Sequence, residues 1–269
     1  MSSKIKVDTI ENVAGSGNVS LGSGHNLVVP GDLTVDTSTL KVDSSNNRVG
    51  IGTASPSQTL ETAGNIFVNT SGNPNLTVKT TGAGNNPFVR IQADTNYWDL
   101  QSLFSNTNDE LDFRYNGTST MMIDKNGVVT KPLQPAFLAF ASANSNLAID
   151  VDTTVGFGTE VYDQNGDFSS NIFTAPITGR YLLTANLYST TIVANATYFW
   201  FYIETSNRTY SSIVDPGTFG ASSDYHSLHV SAVADMDAND TAKVRFRQSG
   251  GSALSDLGGG TFFSGCLLA

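Results

Sequence analysis

An acidic segment at residues 235–240 contains the residue types that bind metal ions. Its sequence, Asp-Met-Asp-Ala-Asn-Asp, presents carboxylate and amide oxygens in the manner of a calcium-binding loop. An EF-hand loop also needs Gly at its sixth position and Glu at its twelfth, where this chain has Asp240 and Phe246. We therefore predict a solvated turn that leads into a strand. A calcium ion held in the C-terminal domain is the alternative.

The other titratable residues form no arrangement typical of catalysis. Asp150 and Asp152 would share one face of a strand, with no acid or base near them in sequence, so we predict that both are surface residues. His226 and His229 are three residues apart and would point to opposite faces of a continuous strand, which leaves zinc without enough ligands. Cys266 is the single cysteine and can form no intrachain disulfide. We predict that the protein is not an enzyme and has no catalytic residue, metal site or cofactor.

An aromatic run, Tyr198-Phe-Trp-Phe-Tyr202, alternates two kinds of ring. On a β-strand, Tyr198, Trp200 and Tyr202 share one face, whereas Phe199 and Phe201 share the other. We expect the two phenylalanines in the core. Rings with a polar group suit either a subunit interface or stacking against a sugar.

The composition predicts that strands, rather than helices, position these residues. The chain has 269 residues, 25 of them Gly, and only 14% are charged, which is typical of short strands joined by turns. The formal net charge of -10 argues against binding to a phosphate backbone, which needs clustered Lys and Arg. The longest aromatic and apolar run, residues 198–203, is too short to cross a bilayer, and the N-terminus lacks the apolar region of a secretory signal. We predict an all-β protein with no nucleic-acid partner and no membrane insertion.

The composition changes near Pro132. Residues 1–132 hold 7 of the 26 aromatic residues and residues 133–269 hold 19, so only the second part can easily build a conventional core. The first part has sparse alternating runs, at residues 4–10, 32–36, 39–43, 48–51, 75–79 and 88–91, separated by Gly-rich turns. Strands with so few apolar side chains need apolar partners from other chains, which predicts an intertwined oligomeric shaft. A disordered polar linker is the alternative.

Turn signals divide the chain further. Two Asn-Gly pairs, at 116–117 and 126–127, are typical of β-hairpins and predict a small β-meander collar. Aromatic-rich strands follow from residue 137, including one at 149–151, and predict an antiparallel sandwich or jelly roll. We expect a virion-attachment segment at 1–30, a shaft at 31–96, a collar at 97–132 and a jelly-roll knob at 133–269.

Three short motifs resemble tail-fibre and related appendage proteins of marine bacteriophages. They lie at residues 4–10, 47–56 and 111–129, and their order along the chain strengthens the resemblance. The resemblance implies a homotrimer, located on the virion, whose N-terminus attaches to other virion proteins of the tail or capsid. It assigns attachment to Ile5, Val7 and Ile10.

The C-terminal part resembles the C1q and tumour-necrosis-factor family of trimeric jelly rolls. The resemblance rests on Phe137 to Phe140, on Phe-Thr-Ala-Pro and Gly-Arg-Tyr within residues 171–181, and on Thr-Phe-Phe-Ser-Gly-Cys-Leu-Leu at 261–268. It implies a ten-stranded jelly roll that trimerises through aromatic faces, and it therefore assigns Tyr198, Trp200 and Tyr202 to the trimer interface. The collagen-like tract that often precedes such a domain is absent from this sequence.

Together these features predict a phage tail fibre whose distal knob binds a host cell-surface receptor, which could be a glycan. The residues that bind the receptor are not identified by the sequence. A capsid or tail decoration protein that stabilises the particle is the first alternative. A glycan-depolymerising tailspike is the second; it requires paired carboxylates in a cleft, and the acidic residues of this sequence are scattered.

Overall fold

The structure is a computed structural model that describes residues 30–35, 39–69, 71–82, 84–103, 109–142 and 144–269. The chain divides into two compact units, Met1–Thr77 and Val78–Ala269. The described residues form β-strands and one 3-10 turn at Pro216–Phe219, and none of their helices has the length and apolar character to span a membrane. The prediction of an all-β chain is confirmed.

The first unit contains a four-stranded sheet with the strands in chain order. The first three strands are antiparallel and the last pair is parallel. A Cβ atom at Gly50 would lie 2.6 Å from the Thr53 carbonyl oxygen, so this tight return of the chain needs glycine. The strands are β1 (Leu33–Val35), β2 (Leu40–Asp43), β3 (Arg48–Ile51) and β4 (Leu60–Thr62).

The described residues between 63 and 82 form no strand. The prediction of a strand at residues 75–79 is therefore wrong. Apolar and polar residues do alternate there, but a strand also needs a hydrogen-bonded neighbour, and the sheets of the described chain provide none. The apolar side chains are left in solvent, with Leu76 79% exposed and Phe67 84% exposed.

The second unit begins with a five-stranded antiparallel meander in chain order. Asn116 and Gly117 both have left-handed φ values, 47° and 85°, which the tight hairpin turn predicted from the sequence requires. The meander starts with Phe88–Ala93, a segment that was predicted to belong to the shaft. It belongs to the meander because a short turn pairs it with the next strand. Its strands are β5 (Phe88–Ala93), β6 (Asn96–Leu103), β7 (Glu110–Tyr115), β8 (Thr118–Asp124) and β9 (Val129–Thr130).

The remainder of the second unit is an antiparallel sandwich of two sheets. The seven-stranded sheet has the order β11-β21-β16-β22-β10-β13, and β19 pairs with β16. Its strands are β10 (Ala136–Ala141), β11 (Asn144–Leu147), β13 (Phe157–Asp163), β16 (Gly179–Ser189), β19 (His226–Met236), β21 (Ser255–Leu257) and β22 (Phe262–Leu267).

The six-stranded sheet has the order β14-β15-β20-β17-β18, and β12 pairs with β20. Its strands are β12 (Thr153–Thr154), β14 (Phe168–Ser169), β15 (Ile172–Thr174), β17 (Ala196–Thr205), β18 (Thr209–Val214) and β20 (Thr241–Gly250). The predicted C-terminal jelly-roll sandwich is confirmed.

Aromatic side chains from both sheets meet in the core of the sandwich. The ring of Phe137 lies 4.8 to 4.9 Å, centroid to centroid, from the rings of Phe168, Phe173 and Phe263. Phe199 and Phe201 are also fully buried, as predicted. Because each ring removes a large apolar area from water, this half of the chain has the conventional core that its composition indicates.

Residues 149–151, predicted as a strand, form a turn instead. Asp150 has a left-handed φ of 62°, and its backbone N–H donates to the Gln248 carbonyl oxygen at 2.8 Å. A strand cannot accommodate this dihedral angle. The turn delivers Asp152 to the outward side of the six-stranded sheet, where it contacts Arg247.

Candidate functional site

The outward face of the six-stranded sheet carries aromatic rings beside cations. Burial alternates along both β17 and β20. The register places Trp200 opposite Arg247 and Tyr202 opposite Arg245. Directly paired residues on antiparallel strands share a face, so aromatic and basic side chains lie next to one another on it.

Tyr202 is held inside this layer by Asp152. Its hydroxyl donates to Asp152 Oδ1 at 2.9 Å, and its ring stacks on Trp200 with centroids 4.4 Å apart. Only 6% of Tyr202 is exposed. Burial and the neighbouring Asp152 carboxylate raise the pKa of Tyr202 to about 12. Most of the side chain is therefore already in contact with its own chain.

Asp152 also joins the two strands to the turn before β12. Arg247 Nη1 donates to Asp152 Oδ2 at 3.1 Å, and Arg245 Nη1 donates to the Asp152 carbonyl oxygen at 3.2 Å. Arg247 Nη2 lies 3.7 Å from Asp150 Oδ1. The hydrogen bond with Asp152 raises the pKa of Arg247. Two carboxylates and two guanidinium groups thus form one connected network.

Glu204 extends the charged row along β17. Arg245 Nε donates to Glu204 Oε2 at 2.6 Å, and Lys243 Nζ lies 3.2 Å from the same oxygen. Burial opposes ionisation of Glu204, but the bonds from Lys243 and Arg245 outweigh it and lower the pKa of the carboxyl group. Glu204 is therefore an anion between two cations.

Trp200 and its neighbours form the apolar part of the face. Trp200 and Tyr198 are half-buried, and Ile213, opposite Trp200 on β18, is 63% exposed. A flat apolar ring bordered by charged hydrogen-bonding groups can stack on a sugar ring and bind its hydroxyl groups. We refer to Tyr198, Trp200, Ile213, Asp152 and Arg247 as the aromatic–arginine face.

The outward face of the seven-stranded sheet differs in character. Most of its central positions are apolar or small and polar, with His229 opposite Asn186, and its charged residues, Arg180 and Asp235, lie opposite each other in the register at one end of β16 and β19. The apolar side chains on it are Leu138, Phe140, Tyr162, Leu182, Val233 and Phe262. We refer to these six residues as the apolar sandwich face.

The acidic segment at 235–240 ends β19 and forms, at residues 237–240, the turn that leads into β20, as predicted. Asp240 Oδ2 accepts from the Asp237 backbone N–H at 2.8 Å and from Asn207 Nδ2 at 2.9 Å. Asp235 pairs with Arg208 through two hydrogen bonds of 2.9 and 2.6 Å, and this partner lowers the pKa of Asp235 to about 2. Hydrogen-bond donors of the same chain therefore already bind the carboxylates of Asp235 and Asp240.

The remaining candidates lie apart from one another. The His226 ring packs 5.2 Å from that of Phe219, His229 is exposed, and Cys266 pairs with Ala136 and Leu182 in the seven-stranded sheet. Within the described part of the chain, no group of three His, Cys, Asp or Glu residues could hold a metal ion.

The structure bears differently on the residues predicted for virion attachment and on those predicted for the trimer interface. The attachment residues Ile5, Val7 and Ile10 lie outside the described residues. Tyr198, Trp200 and Tyr202 do share one face, and Tyr202 is occupied by Asp152 within its own chain.

The network around Asp152 was not predicted from the sequence. Its partners are 50 and 95 residues away along the chain. One signal was available: Lys243, Arg245 and Arg247 alternate with Val and Phe, which predicts a strand with a basic face.

No protein-family model and no curated protein matches this chain. Solved structures do match. The globular domain of zebrafish complement 1qA protein is 18% identical, and the match covers 51% of this chain and 98% of that one, with a TM-score of 0.35. Two structures of murine APRIL are 18% and 16% identical, each match covering 50% of this chain and 99% of that one with a TM-score of 0.37. The similarity is one of fold over about half of this chain.

Proposed function

We propose that the protein is a homotrimeric phage tail fibre, anchored to the virion by the segment at residues 1–30, whose C-terminal sandwich binds a host-surface glycan. Ile5, Val7 and Ile10 make the attachment to other virion proteins. The aromatic–arginine face contacts the glycan, and no covalent chemistry takes place. Three copies of a weak site on one fibre raise the overall affinity through their effective concentration.

The observation that carries the proposal is the exposure of apolar side chains in the chain before the sandwich. Phe67 and Leu76 stand in solvent, and the short strands of the first unit leave Ile51 and Leu60 exposed as well. Ile51 and Leu60 line one concave surface, and contiguous exposed apolar surface marks an interaction site. Other copies of the chain, wound together along an axis, would cover them, which is how a fibre shaft is built.

The two outward faces of the sandwich support different tasks. The centre of a subunit interface is depleted of charged residues, and the apolar sandwich face meets that condition. The aromatic–arginine face does not, since Lys243, Arg245 and Arg247 all project from it. We therefore assign the subunit interface to the apolar sandwich face and glycan binding to the aromatic–arginine face.

Cell binding by the purified full chain tests the proposal. Fluorescently labelled protein is incubated with candidate marine bacteria, with and without unlabelled competitor. We expect the wild-type chain to compete, and Trp200→Ala to lose at least tenfold in competition because it removes the stacking ring. The control is Thr209→Ala, an exposed position on the same outward face, opposite Glu204 and four residues along β18 from Ile213. Equal competition by all three proteins would exclude the aromatic–arginine face as the binding site.

Immunogold electron microscopy separates the fibre from a decoration protein. An antibody against the sandwich should label the distal ends of tail fibres. Label spread over the capsid would instead favour decoration. Sedimentation of the full chain tests the trimer directly, and a stable monomer at micromolar concentration would contradict it.

A further inference from the structure

The five-stranded meander has one polar face and one apolar face. Cross-strand pairing places Arg90, Asp99 and Arg114 in a row on the polar face. Two hydrogen bonds, of 2.8 and 2.9 Å, join Arg90 to Asp99, and Arg114 Nη1 donates to Gln101 Oε1 at 2.8 Å. Arg90 and Arg114 therefore have hydrogen-bond acceptors on their own face, on which Asp99 and Asp112 are buried.

The opposite face of the meander is apolar and open. It carries no charged residue along β5, β6 and β7, and Ile91 is 74% exposed and Trp98 48% exposed. We call this set the apolar meander face: Val89, Ile91, Trp98, Leu100, Leu111 and Tyr115.

This arrangement is unstable for a sheet that stands alone. A sheet must bury one face against another layer, and no described residue of the chain covers the apolar meander face. Its exposed side chains amount to roughly 500 Å², taking about 150–250 Å² for each aromatic ring and somewhat less for the aliphatic side chains. That area approaches the roughly 800 Å² that one partner contributes to a standard interface.

We infer that the apolar meander face packs against the same face of other copies of this chain. The inference rests on the proposed function in one respect, namely that copies of the chain assemble side by side. The absence of charge from the face offers a foreign partner no electrostatic specificity. A cover that is needed for the sheet to fold must be present whenever the chain is made, and identical copies meet that requirement.

Adjacent residues of β5 provide a matched pair of variants. Ile91 belongs to the apolar meander face, whereas Gln92 points to the polar face opposite Tyr97. We compare Ile91→Asp with Gln92→Asp in a Trp200→Phe background, which leaves Trp98 as the single tryptophan. Sedimentation velocity gives the assembly state, and acrylamide quenching reports the exposure of Trp98.

The parent protein is the chain with Trp200→Phe alone. In its assembled form we expect Trp98 to be protected from acrylamide, and dilution to monomer should increase the quenching of Trp98 severalfold. Gln92→Asp should behave like the parent. Ile91→Asp should expose Trp98 and raise the concentration of half-dissociation at least tenfold, since burying an isoleucine contributes about 1.5–3 kcal/mol. If Ile91→Asp fails to fold, the dilution series of the parent decides the question by itself.

Two results would overturn the inference. One is Trp98 protected in the monomer, which would mean that the chain covers the face with its own residues. The other is Ile91→Asp assembled at the parent concentration with Trp98 still protected. If either occurs while the wild-type full chain, with Trp200 intact, still competes for cell binding, the inference fails and the proposed function stands. If Trp98 is protected in the oligomer but the wild-type full chain binds no cell, the inference stands and the proposed function fails.

Discussion

Replacing Tyr202 by Phe distinguishes a residue that stabilises the fold from one that stabilises a subunit interface. The Tyr202 hydroxyl donates to the Asp152 carboxylate at 2.9 Å and is otherwise buried. Hydrogen bonds to charged groups contribute about 1.5–3 kcal/mol to stability. Asp152 retains Arg247 as a partner and is partly exposed to water, so we expect the low end, a loss of about 1.5 kcal/mol in the free energy of unfolding.

Removing the acceptor tests the same bond from its other side. Asp152→Ala leaves the buried Tyr202 hydroxyl without its acceptor, which costs about 1–3 kcal/mol. In the double variant the hydroxyl is absent, so that penalty disappears. We therefore expect the double variant to be more stable than the sum of the single losses predicts, with a coupling of about 1 kcal/mol or more. Tyr198→Phe, on the same face and strand, is the control and should change stability little.

Urea unfolding, monitored by tryptophan fluorescence, measures the free energy of unfolding, and sedimentation across a dilution series measures assembly.

Raising the pH adds an independent check. The folded-state pKa of Tyr202, about 12, exceeds the ordinary value of 10.0, so the stability it contributes is complete below about pH 10 and is lost as the pH rises through 12. Tyr202→Phe should lose less stability over that range than the wild type. If Tyr202→Phe instead weakens assembly and leaves the free energy of unfolding unchanged, the hydroxyl acts across an interface and this reasoning is refuted.

Two further predictions concern the sandwich core and Asp167, a half-buried residue directly before β14. Gly265→Ala should cost about 1–3 kcal/mol, because its Cβ would lie 2.7 Å from Phe137 Cε1 and 2.8 Å from Leu183 Cδ2; unchanged urea unfolding would mean that both side chains move aside freely. Asp167→Asn should raise Tm at pH 7, because burial and the nearby Asp163 carboxylate raise the pKa of Asp167 and oppose its ionisation. The wild type gains stability as the pH falls and Asp167 takes up a proton, so the advantage should vanish near pH 3 in thermal melts, and a lower Tm for the variant at pH 7 would contradict the assignment.

Local chemistry explains which parts of the fold could be predicted. The Asn116-Gly117 turn follows from the dihedral angles that the two residues allow, and its structure matches. The burial of Phe199 and Phe201 follows from alternation along a strand. Residues 75–79 and 149–151 show the limit of such patterns. Alternation indicates which side chains would share a face, but it does not say whether a neighbouring strand exists.

The candidate site depends on register, which a single run of sequence does not contain. Trp200 could be placed on an outward face from its own strand alone. Its proximity to Arg247 requires the pairing of β17 with β20, and the position of Asp152 requires a turn that the sequence analysis interpreted as a strand. Long-range pairing therefore determines the electrostatics of the site, whereas the local sequence determines its aromatic character.

The distribution of cations explains why the two outward faces of the sandwich should have different environments. Residues 133–269 contain five basic residues, and Lys243, Arg245 and Arg247 all project from one face of β20. Burying them in an interface would remove their hydration, and the gain from their carboxylate partners often fails to offset that loss. The apolar sandwich face carries no such cost, while leaving Leu182 and Val233 in water sacrifices the favourable burial of apolar area. Both terms favour the same arrangement, with the apolar sandwich face toward other copies and the aromatic–arginine face toward solvent and ligand.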